Sequence, residues 1–210
     1  MTILADNDVL FKLAACNLLG QLPDLLGVQV SSFRVLNTAR YVARNDPKVD
    51  ETYGEPAIER VLDFLESATT LSEDDVPVDL LGELIGHESI DAGEALLFAA
   101  STQHDPVRVI TGDKASLKAL RGSELTAVLD SVDGCVICFE QLMHRFSTEM
   151  EYVSFRERIV AAPDCDGVVH DIAFSRGSDT PPTAARNAFQ SYAESLREEV
   201  GSLLVTGWMN

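Results

Sequence analysis

Residues 2–14, TILADNDVLFKLA, join a short apolar run to a longer one through two aspartates. The pattern predicts a buried strand over residues 2–5 and an apolar helix over residues 9–19, and a strand followed at once by a helix begins an α/β unit. Asp6 and Asp8 stand at the junction. Two negative charges this close raise the free energy of ionising each other unless a cation or N–H donors compensate them. The stretch therefore predicts an α/β fold with a compensated acidic site after its first strand.

The alternation of strands and helices continues along the chain. In the first half of the chain, periodicity and turn residues predict a short helix and a brief extended piece (28–30) within residues 21–30, and then helices from about 32 to Pro47, over 55–70, through 80–85 and over 91–102. In the second half, they predict a strand at 107–111, a helix from Asp113, a strand within 134–139 and a helix over 140–146. The acidic residues 72–79 are predicted to form a loop. The expected fold class is α/β, a central, mainly parallel sheet flanked by helices, and we expect residues 1–147 to form this domain.

Residues 148–210 are predicted to be a C-terminal extension of that domain. Periodicity is weak from 148 to 182, whereas residues from about 183 to 200 predict an amphipathic helix with Phe189 and Leu196 on its apolar side. We expect this helix to pack on its own domain. Docking to a partner and formation of a homodimer are the alternative uses.

Composition narrows the class of protein. With 210 residues and 46% hydrophobic content, the chain can bury a sizeable core. No run approaches the roughly 18 apolar residues of a membrane span, and Asp6 and Asp8 interrupt the start before a signal-peptide core can form, so we expect a cytoplasmic protein without membrane association. Four cysteines do not make a disulfide framework. Cys165 with His170 supplies only part of a zinc ligand set.

The net charge of −18 is the least ordinary feature of the composition. It excludes nonspecific nucleic-acid binding through a generally basic surface, because phosphate contacts need Lys and Arg. Any nucleic-acid site must therefore use a local basic patch. The candidate residues, all within the first 121, are Lys12, Arg34, Arg40, Arg44, Lys114, Lys118 and Arg121.

Acidic residues recur at the starts of predicted helices. They are Asp6 and Asp8 after the first strand, Asp91 and Glu94 at the start of a helix, and Asp113 after the strand at 107–111. One interpretation is helix capping, since Asp91 and Glu94 have capping-box spacing and the other aspartates precede helices. The other is a ligand site, because the carboxyl ends of parallel strands meet at one crevice. Several carboxylates meeting there need a cation, and an all-oxygen set suits Mg²⁺ or Mn²⁺.

These segments resemble the motifs of PIN-domain proteins, a family of metal-dependent nucleases. ILADNDVLFKLA resembles the family's first strand and its Asp, here Asp6, with Asp8 where a small polar residue usually stands. IDAGEALLFAA is similar to the GEA-type helix and supplies Glu94. VITGDKASLKAL resembles the fourth-strand segment and supplies Asp113, and GCVICFEQLM is similar to the closing strand and helix. The resemblance covers residues 2–146 and implies a PIN-like fold.

The resemblance also implies a ribonuclease in which Asp6, Glu94 and Asp113 are catalytic. They would hold one or two Mg²⁺ or Mn²⁺, and the metal would activate water and stabilise the charge that builds on the phosphodiester. The implied metal ligands are Asp6, Asp8, Asp91, Glu94 and Asp113, and the basic residues for RNA are Lys114, Lys118, Arg40 and Arg44. A solvated helix face is the alternative use of those basic residues.

One family feature is missing from the sequence. PIN-like proteins usually carry a Glu on the helix after the second extended piece, and SSFRVLNTARY offers Arg34 and Asn37 there. Either Asn37, Asp8 or Asp91 takes its place, or the site is inactive. An inactive site would leave an interaction module, or a toxin-like protein silenced by an antitoxin partner. The acidic surface favours a basic partner protein.

A DxD motif after a strand also resembles the haloacid-dehalogenase phosphatases. There Asp6 would attack a phosphate, Asp8 would protonate the leaving group and Asp113 would hold Mg²⁺. Two features speak against this reading: residues 9–11 run straight into a predicted helix instead of a Gly-containing loop, and Leu117 stands where the late motif needs an Asp. The sequence has no GxSxG, Walker loop or GxGxxG.

Overall fold

A single sheet of five parallel strands forms the centre of the computed structural model, which describes residues 1–72 and 75–209. The strands are β1 (Thr2–Ala5), β2 (Phe33–Leu36), β3 (Thr69–Leu71), β4 (Val107–Thr111) and β5 (Val136–Cys138), in the spatial order β3-β2-β1-β4-β5. Ile3 and Leu4 are neighbours in β1 and belong to two different buried clusters, one on each face of the sheet. The predicted α/β class, a parallel sheet covered on both faces, is confirmed.

Helices account for most of the described chain. They are α1 (Asn7–Ala15), α2 (Leu22–Leu26), α3 (Thr38–Asn45), α4 (Pro47–Tyr53), α5 (Glu55–Ser67), α6 (Val78–Ile85), α7 (Ala92–Ser101), α8 (Lys114–Arg121), α9 (Thr126–Val132), α10 (Phe139–Glu149), α11 (Tyr152–Ala161) and α12 (Pro182–Val200), with a π-helical segment at Val168–Ala173. The first helix is shorter than the predicted 9–19, because Asn17 adopts a positive φ of 53° that ends it.

The strand register brings the first acidic junction to the middle of the sheet. In β1, Ala5 lies opposite Val35 of β2 and Ile110 of β4, so these three strands end at nearly the same level. The Asp6 N–H then donates to the Ile110 carbonyl at 3.0 Å. The order of strands along the chain reverses between β1 and β4, and ligands bind in open α/β sheets at such a switch point.

The predicted position of the second strand is wrong by several residues. Residues 28–30 are not a strand, and Val30–Ser32 form a 3-10 turn. The strand is β2, and the helix predicted from about residue 32 begins only at Thr38. Burial explains the shift: Phe33 and Val35 point into one buried cluster and Leu36 into the other, which favours an extended chain buried on both faces.

Two further boundaries differ from the prediction. The helix predicted over 55–70 ends at Ser67, and the next residues form the edge strand β3. Pro47 does end α3, but it also starts α4, with the Asp46 side chain accepting from the Lys48 N–H at 2.9 Å as a cap. In the loop predicted at 72–79, residues 73 and 74 lie outside the described part, and α6 begins at Val78.

The C-terminal third closes the sheet on the β5 side. Residues 148–182, weakly periodic in sequence, contain α11 and the π-helical segment, and the predicted amphipathic helix is α12. Phe189 of α12 packs in the same buried cluster as Ile3, whereas Leu196 packs in the cluster of Leu4. This helix packs on its own chain and contributes side chains to the buried clusters on both faces of the sheet. The boundary at residue 147 stays a prediction.

No single helix in the described ranges is long and apolar enough to cross a membrane. Taken together, α1 and the helical stretch Leu19–Leu26 meet the length and composition criteria, although the two are bent by 110°. Leu10 and Leu13 of α1 are fully buried in the protein core.

Candidate functional site

All five predicted acidic residues line one open cleft at the carboxyl ends of the central strands, with a volume of about 850 Å³. We call it the acidic cleft, and its walls are Asp6, Asn7, Asp8, Leu36, Thr38, Asp91, Ala92, Gly93, Glu94, Gly112, Asp113 and Lys114. The acids come from three separate segments: Asp6 and Asp8 lie where β1 leads into α1, Asp91 and Glu94 lie at the start of α7, and Asp113 follows β4. The convergence predicted for these carboxylates therefore occurs at the level of the cleft.

Asp6 is the buried carboxylate at the centre of the sheet edge. Only 9% of its surface is exposed, and although it stands at the N-cap of α1 its side chain makes no capping hydrogen bond. Burial and then the charge of Asp8 raise the pKa of Asp6 to about 7, against a smaller lowering by the N–H groups of Asn7 and Asp8. The N–H groups of the first turn thus offset only part of the cost of burying Asp6.

Glu94 and Asp91 do form the predicted capping box. Asp91 Oδ1 accepts from the N–H groups of Gly93 at 2.7 Å and Glu94 at 2.9 Å, and Glu94 Oε2 accepts from the Asp91 N–H at 3.2 Å. Glu94 is 4% exposed. Burial, followed by the side-chain hydrogen bond with Asp91 and then the charges of Asp91, Asp6 and Asp113, raises its pKa to about 9.

Asp91 behaves differently from its partner in the box. Burial works to raise the pKa of Asp91, but hydrogen bonds from the Glu94 side chain and from the N–H groups of Glu94 and Gly93 outweigh it and lower the pKa. The residue is exposed at the rim of the acidic cleft. Its main role in this structure is that of a helix cap.

Asp113 combines a cap with a place in the cleft. Its Oδ1 accepts from the Ser116 N–H at 2.9 Å at the start of α8. Within the described residues Oδ2 has no hydrogen-bond partner, which leaves this oxygen free to bind a ligand. The N-terminus of α8 also directs its positive dipole end towards the cleft.

The chain itself neutralises Asp8. The Lys12 ammonium lies 2.8 Å from Asp8 Oδ2, and the Tyr53 hydroxyl donates to Asp8 Oδ1 at 3.0 Å. Lys12 also contacts Asp166 at 3.0 Å. Burial alone would lower the pKa of Lys12, but the two carboxylates raise it above its usual value, so the lysine stays charged. Both oxygens of Asp8 already have partners within the chain. Its role as a metal ligand stays a prediction.

Two glycines allow the walls of the acidic cleft to approach one another. A Cβ on Gly93 would lie 2.9 Å from Leu36 Cδ1 and 3.2 Å from Asp91 Oδ1, and a Cβ on Gly112 would lie 3.1 Å from Asp8 Oδ2. At both glycines, the ends of neighbouring side chains therefore lie closer than a Cβ would allow without a shift.

Of the four predicted RNA-contacting residues, Lys114 alone lines the acidic cleft. It pairs with the buried Glu140 at 2.5 Å and lies over the Tyr192 ring at 5.2 Å. Lys118 pairs with Glu199 on α12, away from the cleft. Arg40 donates to the Leu65 carbonyl at 3.2 Å and Arg44 lies in a separate groove beside Asp46, Asp50 and Glu55.

The structure also adds residues that the sequence reasoning missed. Asn7 and Thr38 line the cleft and share a hydrogen bond of 3.2 Å from Asn7 Nδ2 to Thr38 Oγ1. Asn7 Oδ1 is buried, with no hydrogen-bond partner in the described ranges. Asn37, the predicted stand-in for the missing acid, occupies the N-cap position of α3 without a side-chain capping hydrogen bond, and it does not line the cleft. The signal for Asn7 was its place between the two aspartates of the first motif.

Among residues 1–72 and 75–209, no three carboxylates of the cleft have oxygens that all lie within 4.8 Å of one another. Three donor atoms that do lie this close belong to Cys16, Cys165 and His170, outside the cleft. A cation held by the cleft would therefore be coordinated partly by water. No protein-family model matches the chain, and comparisons with curated proteins and with solved structures also give no match.

Proposed function

We propose that the protein is a metal-dependent nuclease with a PIN-like fold that cuts RNA. The observation that carries the proposal is the meeting of Asp6, Glu94 and Asp113, from three distant segments, in one cleft at the switch point of the sheet. Asp6 and Glu94 are buried there as acids with raised pKa values. Perturbed acids in a cleft are a mark of functional sites. The order of the PIN-like motifs supports the same conclusion.

The donors of the acidic cleft fit a hard divalent cation. Asp6, Glu94 and Asp113 would hold Mg²⁺ or Mn²⁺, and the unpartnered Oδ1 of Asn7 is a further oxygen donor. Mg²⁺ usually keeps several waters and binds through one or two carboxylates, which agrees with carboxylates spread along the walls. When bound, such a cation generates a nucleophilic water and stabilises charge on a phosphodiester.

The chain's own groups would prepare the cleft for this chemistry. With pKa values of about 7 and about 9, Asp6 is partly and Glu94 largely protonated near neutral pH, and both would release protons when a cation binds. Lys114 at the rim would contact a backbone phosphate, exchanging its ion pair with Glu140 for one with RNA. The charge of −18 limits contacts outside the cleft.

An interaction module, or a toxin-like protein bound by a basic antitoxin, is the second candidate function. The observation that favours it is that α3 contributes Thr38 to the cleft where PIN-like proteins usually have an acid. The phosphatase is not proposed, because α1 begins at Asn7 and leaves no loop after Asp6.

The direct test is cleavage of a mixed-sequence single-stranded RNA with Mn²⁺ or with EDTA. We expect cleavage that needs the metal and falls at least about 100-fold in Asp6→Asn and Asp113→Asn. Asp46→Asn, a helix cap outside the cleft, is the matched control and should cleave like the unmodified protein. Equal cleavage by all variants would assign the activity to a contaminant. No cleavage together with no Mn²⁺ binding would favour the interaction module.

A further inference from the structure

A second cluster of metal-type ligands lies outside the acidic cleft. Cys16 caps the C-terminal end of α1, and Cys165 and His170 lie between α11 and α12, about 150 residues later in the chain. One donor atom from each residue lies within 4.8 Å of the other two. Cys16 is 1% exposed, and the other two side chains are half-buried. Folding therefore assembles two thiols and an imidazole that are far apart in sequence.

The spacing of these donors suits a tetrahedral Zn²⁺ site. Zn–S bonds of about 2.3 Å and Zn–N bonds of about 2.0 Å place tetrahedral ligands about 3.4 to 3.8 Å apart. Donors already within 4.8 Å need an inward movement of about 1 Å or less to reach that geometry. Sulfur and imidazole ligands select Zn²⁺ over Mg²⁺ or Mn²⁺, which prefer oxygen.

The cluster also contains a buried polar atom that no other part of the described chain satisfies. The hydrogen bond with Cys16, followed by the one with His170, lowers the pKa of the Cys165 thiol. The hydrogen bond with Cys165, followed by burial, raises the pKa of Cys16, whose proton a metal would displace. His170 Nε2 is buried and lacks a hydrogen-bond partner within the described residues. A buried ring nitrogen without a hydrogen-bond partner destabilises the fold unless a ligand binds to it.

Asp166 lies beside the cluster, but both of its carboxylate oxygens already have partners. Its Oδ2 pairs with Lys12 at 3.0 Å, and its Oδ1 accepts from the Val169 N–H at 3.1 Å. It therefore orders the segment that carries Cys165 and His170 and leaves the fourth coordination position to water. Three protein ligands and a water are a known arrangement for zinc.

We propose that Cys16, Cys165 and His170 bind one Zn²⁺ ion that fastens the segment before α12 onto α1. Lys12 lies one helical turn before Cys16 and connects Asp166 to Asp8 in the acidic cleft. Zinc would thus also hold Lys12 against Asp8. The proposal is independent of nuclease activity, since it concerns different residues and a different class of metal.

The test is Co²⁺ and Zn²⁺ binding by the full chain, stripped of metal and kept reduced. Thiolate ligands give Co²⁺ an intense charge-transfer absorption that carboxylates do not, so the acidic cleft cannot produce it. We expect this band in the unmodified chain, saturating at about one equivalent, and, after zinc is added back and the excess removed, about one bound Zn²⁺ by elemental analysis. The band should be lost in Cys165→Ser and His170→Gln.

Cys135→Ser is the matched control, because Cys135 is a half-buried thiol that contacts Arg108 and the Asp133 carbonyl outside the cluster. It should keep both the band and the zinc. No band and no retained zinc in the reduced, folded chain would overturn the proposal, as would equal binding by Cys165→Ser and His170→Gln. Failure of the reduced chain to bind either metal, together with a Cys16–Cys165 disulfide in the oxidised chain, would overturn the proposal and identify a redox pair.

Discussion

The ammonium group of Lys12 lies 2.8 Å from Oδ2 of Asp8, so the chain itself neutralises the second aspartate of the ADND junction. Asp6, two residues earlier, is buried and forms no ion pair within the described residues. The two neighbouring acids thus have different surroundings. Asp8 forms contacts that hold the wall of the cleft together. Asp6 is the carboxylate whose charge a bound cation would compensate.

Removing the Lys12 charge should destabilise the fold. Lys12→Met keeps most of the apolar stem but leaves Asp8 and Asp166 unpaired, and we expect the free energy of unfolding to fall by about 1 to 3 kcal/mol at pH 7. Urea denaturation measures the loss. Lys48→Met, at an exposed position, is the control and should change stability by less than about 0.5 kcal/mol. An equal effect of both substitutions would contradict a supporting role for Lys12.

Stability of the metal-free protein should fall as the pH rises. The folded-state pKa values of Asp6 and Glu94 are raised to about 7 and about 9, so between about pH 4 and 9 the folded chain holds protons that the unfolded chain releases. Asp6→Asn removes one such acid and should increase stability at pH 8 by about 1 to 3 kcal/mol, with little change at pH 4.

Urea denaturation in EDTA at both pH values measures this difference. Glu94→Gln should behave likewise, because Gln can keep the capping box. Asp46→Asn is the control, since Asp46 caps α4 outside the cleft. A gain for Asp6→Asn that is as large at pH 4 as at pH 8 would show that its cause is not the charge of the acid.

Gly93 should tolerate a methyl group less well than another helical glycine. The added Cβ in Gly93→Ala would lie 2.9 Å from Leu36 Cδ1, and we expect a loss of about 1 to 2 kcal/mol because the buried Leu36 side chain must be displaced. Gly82→Ala in α6 meets nothing within 4 Å and should stabilise by about 0.5 to 1 kcal/mol through helix propensity. Thermal unfolding of the two variants in parallel distinguishes them, and a stabilised Gly93→Ala would contradict the close packing.

Lys114 should affect RNA binding through its place in the cleft. We expect Lys114→Ala to raise the KM for RNA about threefold to tenfold, the effect of losing one contact worth about 1 kcal/mol. Lys118→Ala, whose lysine pairs with Glu199 away from the cleft, should leave KM unchanged. Steady-state cleavage at low salt gives both values. Similar KM values for the two variants would remove Lys114 from the binding surface.

The sequence allowed the convergence of the acidic motifs to be predicted, but not their detailed surroundings. Strand ends that share an edge place Asp6 and Asp113 together once a parallel sheet is assumed. The partners of Asp8 were not predictable in the same way, because Tyr53 and Asp166 are far away in sequence and meet it only through packing. The third ligand of the cysteine cluster, Cys16, was missed for the same reason.

The two strands that sequence reasoning misplaced or missed are short and lie on one side of the sheet. β2 has four residues and β3 has three, too few to show a period of two. Phe33 and Leu36 are buried on opposite faces, so the segment reads as apolar without alternation. Tertiary burial decides its conformation, and local propensity does not.

Mn²⁺ titration calorimetry at pH 7 in two buffers of different ionisation enthalpy tests the central claim most directly. We predict binding to the acidic cleft with release of protons, because Asp6 and Glu94 hold protons before the metal enters. Asp6→Asn and Asp113→Asn should lose the binding, and Asp46→Asn should keep it. Binding of equal affinity in all variants, or no binding by the unmodified chain, would contradict the account.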